Sequence, residues 1–202
     1  MGMEEVKELK ETLERVEGKL IAAANVYGAM NFAFWLVAMS LFFVLLGIGS
    51  VSPPVSLAYW GTAIAFGIYV SIKLWERIER LAGPSGGSKL GALMIGLSWA
   101  VGSIIGWWII PDMTSIGVNA GARLAVGFLT FIGLSLLGQW FVMSAGRGHY
   151  EMIPSFLLPL LAIPVAMDME NGAMLWAGFV VAFSYGLTVL LYLYSAFKAI
   201  ER

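Results

Sequence analysis

The chain of 202 residues contains no cysteine, one histidine and one glutamine. Without cysteine there are no disulfides, no thiolate metal sites and no thiol nucleophile. His149 alone cannot supply the paired imidazoles of a histidine metal site, and no His-Glu-x-x-His string exists. Charge is scarce too: Asp, Glu, Lys and Arg make up 12% of the chain, about half the share usual in a water-soluble domain. Twelve basic residues nearly cancel 13 acidic ones, leaving a net charge of −1. No overall field of either sign recruits nucleic acid, which is not an expected partner.

Apolar residues are abundant, at 59% of the chain with a mean hydropathy of +0.83. One membrane-crossing helix uses about 20 of them. Apolar stretches place six spans, near residues 20–48, 55–74, 90–110, 119–145, 152–168 and 173–197. Short Gly-, Pro-, Ser- and Asp-rich connections separate them. The expected fold is all-α, a polytopic six-transmembrane helix bundle in the lipid bilayer. Residues 1–19 are expected to form an amphipathic cytoplasmic helix continuous with the first span. That segment holds six Glu against four Lys and Arg, unlike the basic start of a secretory signal, so the first span is expected to be retained.

Orientation follows from the basic residues, which short loops keep on the cytoplasmic side. Lys7, Lys10, Arg15 and Lys19 precede the first span; Lys73, Arg77, Arg80 and Lys89 flank the second connection; Arg147 lies in the fourth; Lys198 and Arg202 end the chain. Only Arg123 falls on the other side, a partition of 11 to 1. The chain is therefore expected in the cell membrane, multi-pass, with both termini cytoplasmic. Tyr59, Trp60, Trp107, Trp108 and Trp176 at outer ends and Trp75, Trp140, Tyr192 and Tyr194 at inner ends fit the aromatic belts of such a topology. Trp35 and Trp99 lie deeper and are expected to pack between helices or against lipid tails.

The fifth span is short and carries Pro154, Pro159 and Pro164. The second and third of these remove backbone hydrogen bonds, which predicts a kink packed inside the bundle on at least one face. Small residues four apart, Gly102 with Gly106, Gly117 with Gly121 and Gly178 with Ala182, mark candidate close helix contacts, the first pair best placed within a span.

Counting in from the loops leaves no charged residue or histidine near any midplane, which disfavours a proton- or sodium-driven pump. Hydroxyls remain there: Ser40, Thr62, Ser98, Ser103, Thr130, Ser184 and Tyr185. Their default role is to bond a carbonyl three or four residues back. The functional alternative is a weakly polar path for an uncharged or apolar solute past Ser40, Thr130, Ser184 and Tyr185, with Pro159 and Pro164 breaking the span that lines it. Gly96-Leu97-Ser98-Trp99 is a serine string of the rhomboid-protease kind, but no later span holds the histidine needed to activate that serine. No catalytic residue, metal ligand or cofactor site is expected. Asp112, Asp168 and Glu170 are expected to be solvated loop acids, with Asp112 placed to pair with Arg123. Arg147, His149 and Glu151 are expected to share one solvated turn.

The charged amino-terminal segment carries the one definite pattern. Val6, Leu9, Leu13, Val16 and Leu20 are spaced 3, 4, 3 and 4, the narrow seam of a coiled-coil contact. A net negative segment with so narrow a stripe does not suit an anionic membrane surface. The default partner is the cytoplasmic continuation of the second span, Lys73 to Leu81, through Leu74, Ile78 and Leu81. That continuation is the shorter, so Val6 and Leu9 are expected to project past it, toward a second copy or another subunit. The leading functional expectation is a non-enzymatic membrane subunit or scaffold that assembles through this helix; the alternative is a small transporter or channel component.

Overall fold

The computed structural model describes residues 3–49, 51–82, 89–113, 115–144 and 149–201. Arg147 and Arg202 lie outside the described residues, as do the side chains of Trp75, Ile78, Leu81 and Lys89. The described residues are all-helical. Among them six helices are long and apolar enough to cross a membrane: Met3–Ile48, Pro53–Leu74, Leu90–Asp112, Ala120–Met143, Tyr150–Asp168 and Ala173–Ile200.

Helix α1 runs unbroken over Met3–Ile48, and α2 over Pro53–Ala82. Helix α3 (Lys89–Ile104) passes through a π turn (Ile105–Ile109) into the short α4 (Ile110–Asp112). The π turn precedes Pro111, which has no N–H for the Trp107 carbonyl and whose ring would crowd that carbonyl in a regular helix. Next come α5 (Ala120–Met143), a 3-10 turn (Tyr150–Met152), α6 (Ile153–Leu161), α7 (Ile163–Asp168) and α8 (Ala173–Ile200). The fifth span is thus broken at Ala162, between α6 and α7. Pro159 lies inside α6 and Pro164 in the first turn of α7. Each lacks the N–H that would bond the carbonyl four residues earlier, which is the cause of the break. Both halves pack on α5 and α8.

Chain neighbours are not always packed neighbours. The most extensive interface joins α1 to α8, the next joins α3 to α5, and α2 leans on α1. Small residues permit the long α1–α8 contact: Gly18 faces the Ala199 carbonyl, Gly28 lies under the Tyr192 ring, and Gly178 receives Phe43. Phe43 also reaches Phe128 of α5, ring centres 5.5 Å apart. Leu129 and Ile132 of α5 and Val181 of α8 are fully buried there.

The pair Gly102 and Gly106 does make a close contact, and its partner is α5. Gly102 meets Ser135 and the Phe131 carbonyl, while Gly106 and Gly127 bring their backbones together. Gly117 and Gly121 make no such contact. Gly117 takes φ +80 in the turn before α5, and Gly121 faces only the Asn119 side chain.

That turn is held by Asn119. Its Oδ1 accepts from the Ala122 N–H at 2.8 Å, capping α5, and its Nδ2 donates to the Glu170 carbonyl at 2.8 Å. One side chain therefore joins the start of α5 to the connection between α7 and α8. Asn119→Ala is expected to destabilise the bundle by about 1–2 kcal/mol through loss of the cap, read as a lower unfolding temperature in detergent.

Candidate functional site

At 100° per residue, the face of α1 that packs on α8 runs through Gly18, Ala22, Ala29 and Phe32. The seam Val6, Leu9, Leu13, Val16 and Leu20 falls roughly 160–240° around the helix from Gly18, on the opposite face. Higher on α1 that same face holds Asn31, Phe34 and Ala38, and there α2 covers it. Ser71 Oγ donates to Asn31 Oδ1 at 3.0 Å, Tyr59 Oη donates to the Ala38 carbonyl at 2.5 Å, and Gly67 lies against Phe34 and Trp35.

These contacts set an antiparallel register in which each residue gained on α2 is one lost on α1. Ser71 against Asn31 and Gly67 against Trp35 give the same offset. Ala82, the last residue of α2, therefore comes level with Leu20. The default expectation that the continuation of α2 covers the upper seam is corrected for Leu13 and Val16: α2 ends level with Leu20, and Val6 and Leu9 project past it as expected. Val6, Leu9, Leu13 and Val16 are 51, 50, 60 and 49% exposed. Residues 3–17 extend roughly 22 Å as a helix, and all fifteen are exposed. Their surface ion pair, Lys10 with Glu14 at 3.7 Å, contributes little to holding them. The site is an uncovered continuation of a face that carries helix packing elsewhere on the same helix.

The candidate path residues are spread over several helices. Ser40 on α1 is half-buried and Thr130 on α5 is buried. Ser184 is buried on α8 and donates to the Val181 carbonyl at 2.8 Å. The Tyr185 ring meets Phe32 edge-on at 5.4 Å. Pro159 is buried and Pro164 exposed. An open apolar groove of about 590 Å³ lies between α1 and α2, lined by Phe34, Ala38, Val55, Tyr59, Thr62 and Phe66 among others. None of the six path residues lines it. Ser98 Oγ is engaged by the Ile95 and Ser135 carbonyls, at 2.8 and 3.1 Å, so its hydroxyl is bound between α3 and α5.

Buried hydroxyls also occur at Ser135, Ser155 and Thr188, none of them among the midplane hydroxyls expected from hydropathy. Ser155 donates to the Met152 carbonyl at 2.7 Å; Ser135 Oγ and Thr188 Oγ1 have no partner among the described residues. The spacing of Thr188 four residues after Ser184 is the signal that would have placed it on the same inner face.

Glu151 is a second correction. The turn expected to be solvated is drawn onto the bundle by Tyr150, whose hydroxyl shares a 2.7 Å hydrogen bond with Ser195, and by Trp140 Nε1 donating to the His149 carbonyl at 2.9 Å. Glu151 is consequently 6% exposed, within electrostatic reach of Tyr192. Asp112 and Arg123 do not pair among the described residues, and no group of three His, Cys, Asp or Glu side chains there could hold a metal. The chain matches no family model, no curated protein and no solved structure.

Proposed function

We propose that this chain is a non-enzymatic multi-pass protein of the cell membrane, with both termini cytoplasmic, serving as a subunit or scaffold that assembles through residues 3–17 of α1. The observation that supports this reading is the exposed aliphatic seam Val6, Leu9, Leu13 and Val16, on a helix anchored by α8 and left uncovered by α2. These residues are the free end of the unbroken α1, and a partner helix against the seam supplies the apolar burial that they lack. The test compares affinity-tagged full chain with a form lacking residues 3–17, both purified from the native membrane in mild detergent. The full chain is expected to bring down a stoichiometric protein, either an untagged copy or another subunit, and the truncated form to lose it. Equal recovery in both would overturn the reading.

A second reading, a small transporter or channel component for an uncharged or apolar solute, draws support from the break at Ala162 with Pro159 buried beside it. Broken helices inside a bundle commonly line solute sites. On this reading, filling the break with Pro159→Leu and Pro164→Leu is expected to abolish solute flux into vesicles while leaving the assembled mass unchanged.

A further inference from the structure

We infer that the occupant of the seam is a second copy of this chain, its α1 helix parallel and in register over residues 3–17. This rests on the assembly reading above and adds the identity and geometry of the partner. Copies inserted in one membrane with the same orientation project α1 to the same side, so a two-fold axis along the membrane normal makes the paired helices parallel. In the heptad frame of the seam, Val6 and Leu13 occupy a positions, and Leu9 and Val16 occupy d positions. In register, each of these meets its own kind across the axis, and no polar residue falls in the seam.

The flanks agree with that register. Position g of one heptad faces position e of the partner's next, which sets Glu5 against Lys10 and Thr12 against Glu17 across the axis. The first pairing joins opposite charges, occurs twice by symmetry, and no like-charged pair arises. The arrangement is also open on the correct side. Gly18, which packs on Ala199 of α8, occupies position f, so the rest of the bundle lies behind each helix. The contacts of α2 with this face begin higher on α1, at Asn31, so pairing is confined to residues 3–17. The pair is then short, and membrane confinement compensates by holding copies at high effective concentration in one orientation.

The absence of cysteine makes the test direct. Leu9→Cys, Val16→Cys and Glu11→Cys, each introduced alone into the full chain in lipid vesicles, are oxidised with copper phenanthroline and run on non-reducing gels. Core positions of a parallel pair bring Cα atoms within the roughly 7 Å that a disulfide needs, and position f does not. Leu9→Cys and Val16→Cys are expected to give a covalent dimer, at about fivefold or more over Glu11→Cys, given the facing of a and d positions. Two differently tagged chains, one Leu9→Cys and one Val16→Cys, are expected to yield same-site bonds and few mixed ones. Mixed bonds in excess would overturn the parallel register. No preference for Leu9 and Val16 over Glu11 would overturn the second-copy inference; if truncation of residues 3–17 still released a different protein, the assembly reading would stand with that protein as partner, and if truncation released nothing, both would fall. All three substitutions sit on exposed positions, so folding is not at stake.

Discussion

If α1 pairs as proposed, Leu9→Asp combined with Leu13→Asp is expected to leave single chains without altering the unfolding temperature of the bundle. In the single chain both leucines are half exposed or more, and each lies beyond the end of α2, so the bundle loses no contact. In the proposed pair they form the centre of the seam. Burying the exposed half of four leucines, two from each copy, is worth roughly 4 kcal/mol on an area basis, and each aspartate placed there would lose hydration with no cation opposite it. A loss of that size corresponds to about a thousandfold in the association constant. Size-exclusion chromatography with light scattering at matched protein concentration reads the mass, and circular dichroism on heating reads the bundle. A drop in unfolding temperature matching the loss of mass would mean that the seam serves the single chain's own fold.

The second large effect lies at the crossing of α3 with α5. Backbone meets backbone where Gly106 faces Gly127, and a Cβ on either would overlap the carbonyl oxygen of the other. A carbonyl cannot swing aside as a flexible side chain can, so the helices themselves must separate. Gly106→Leu or Gly127→Leu is expected to cost about 3 kcal/mol or more, the upper part of the range for overpacking. Loss extends past the one contact, since Gly102 with Ser135 and Gly138 with Ser98 form the same interface. Gly61→Leu and Gly96→Leu are the controls: nothing lies within 4 Å of either Cβ position, and unfolding in mixed micelles should be unchanged.

Hydropathy is a property of the chain taken in order, and so the six apolar helices were legible in it. Which helix packs on which is not a property of order. The pairing of α1 with α8 depends on Gly18, Gly28 and Gly178 meeting Ala199, Tyr192 and Phe43, residues far apart in sequence. Gly102 and Gly106 declared a close contact by spacing alone, but Gly127, half of the same contact, has no small partner four residues away to announce it. Pro159 and Pro164 marked the break of the fifth span because their effect on the backbone is local. The π turn before Pro111 has the same local cause, but one proline near a helix end suggests only a terminus. Glu151 shows the limit of counting charges. A carboxylate just outside an apolar run looks solvated, and its burial follows from Tyr150 reaching Ser195 across 45 positions of chain.

The seam and the exposure of Val6 and Leu9 were legible from spacing and length; the exposure of Leu13 and Val16 was not. Deciding whether α2 covers them required the register of α2 on α1, which Ser71 with Asn31 and Gly67 with Trp35 provide. Neither contact leaves a mark in periodicity.

The most direct test of assembly through α1 is native mass spectrometry of the full chain and of the form lacking residues 3–17, each released from lipid nanodiscs at the same concentration. Assembly through α1 predicts that the full chain appears above the 21.9 kDa of one copy and the shortened chain as single copies. Equal stoichiometry for the two forms, whether one copy or several, would contradict it.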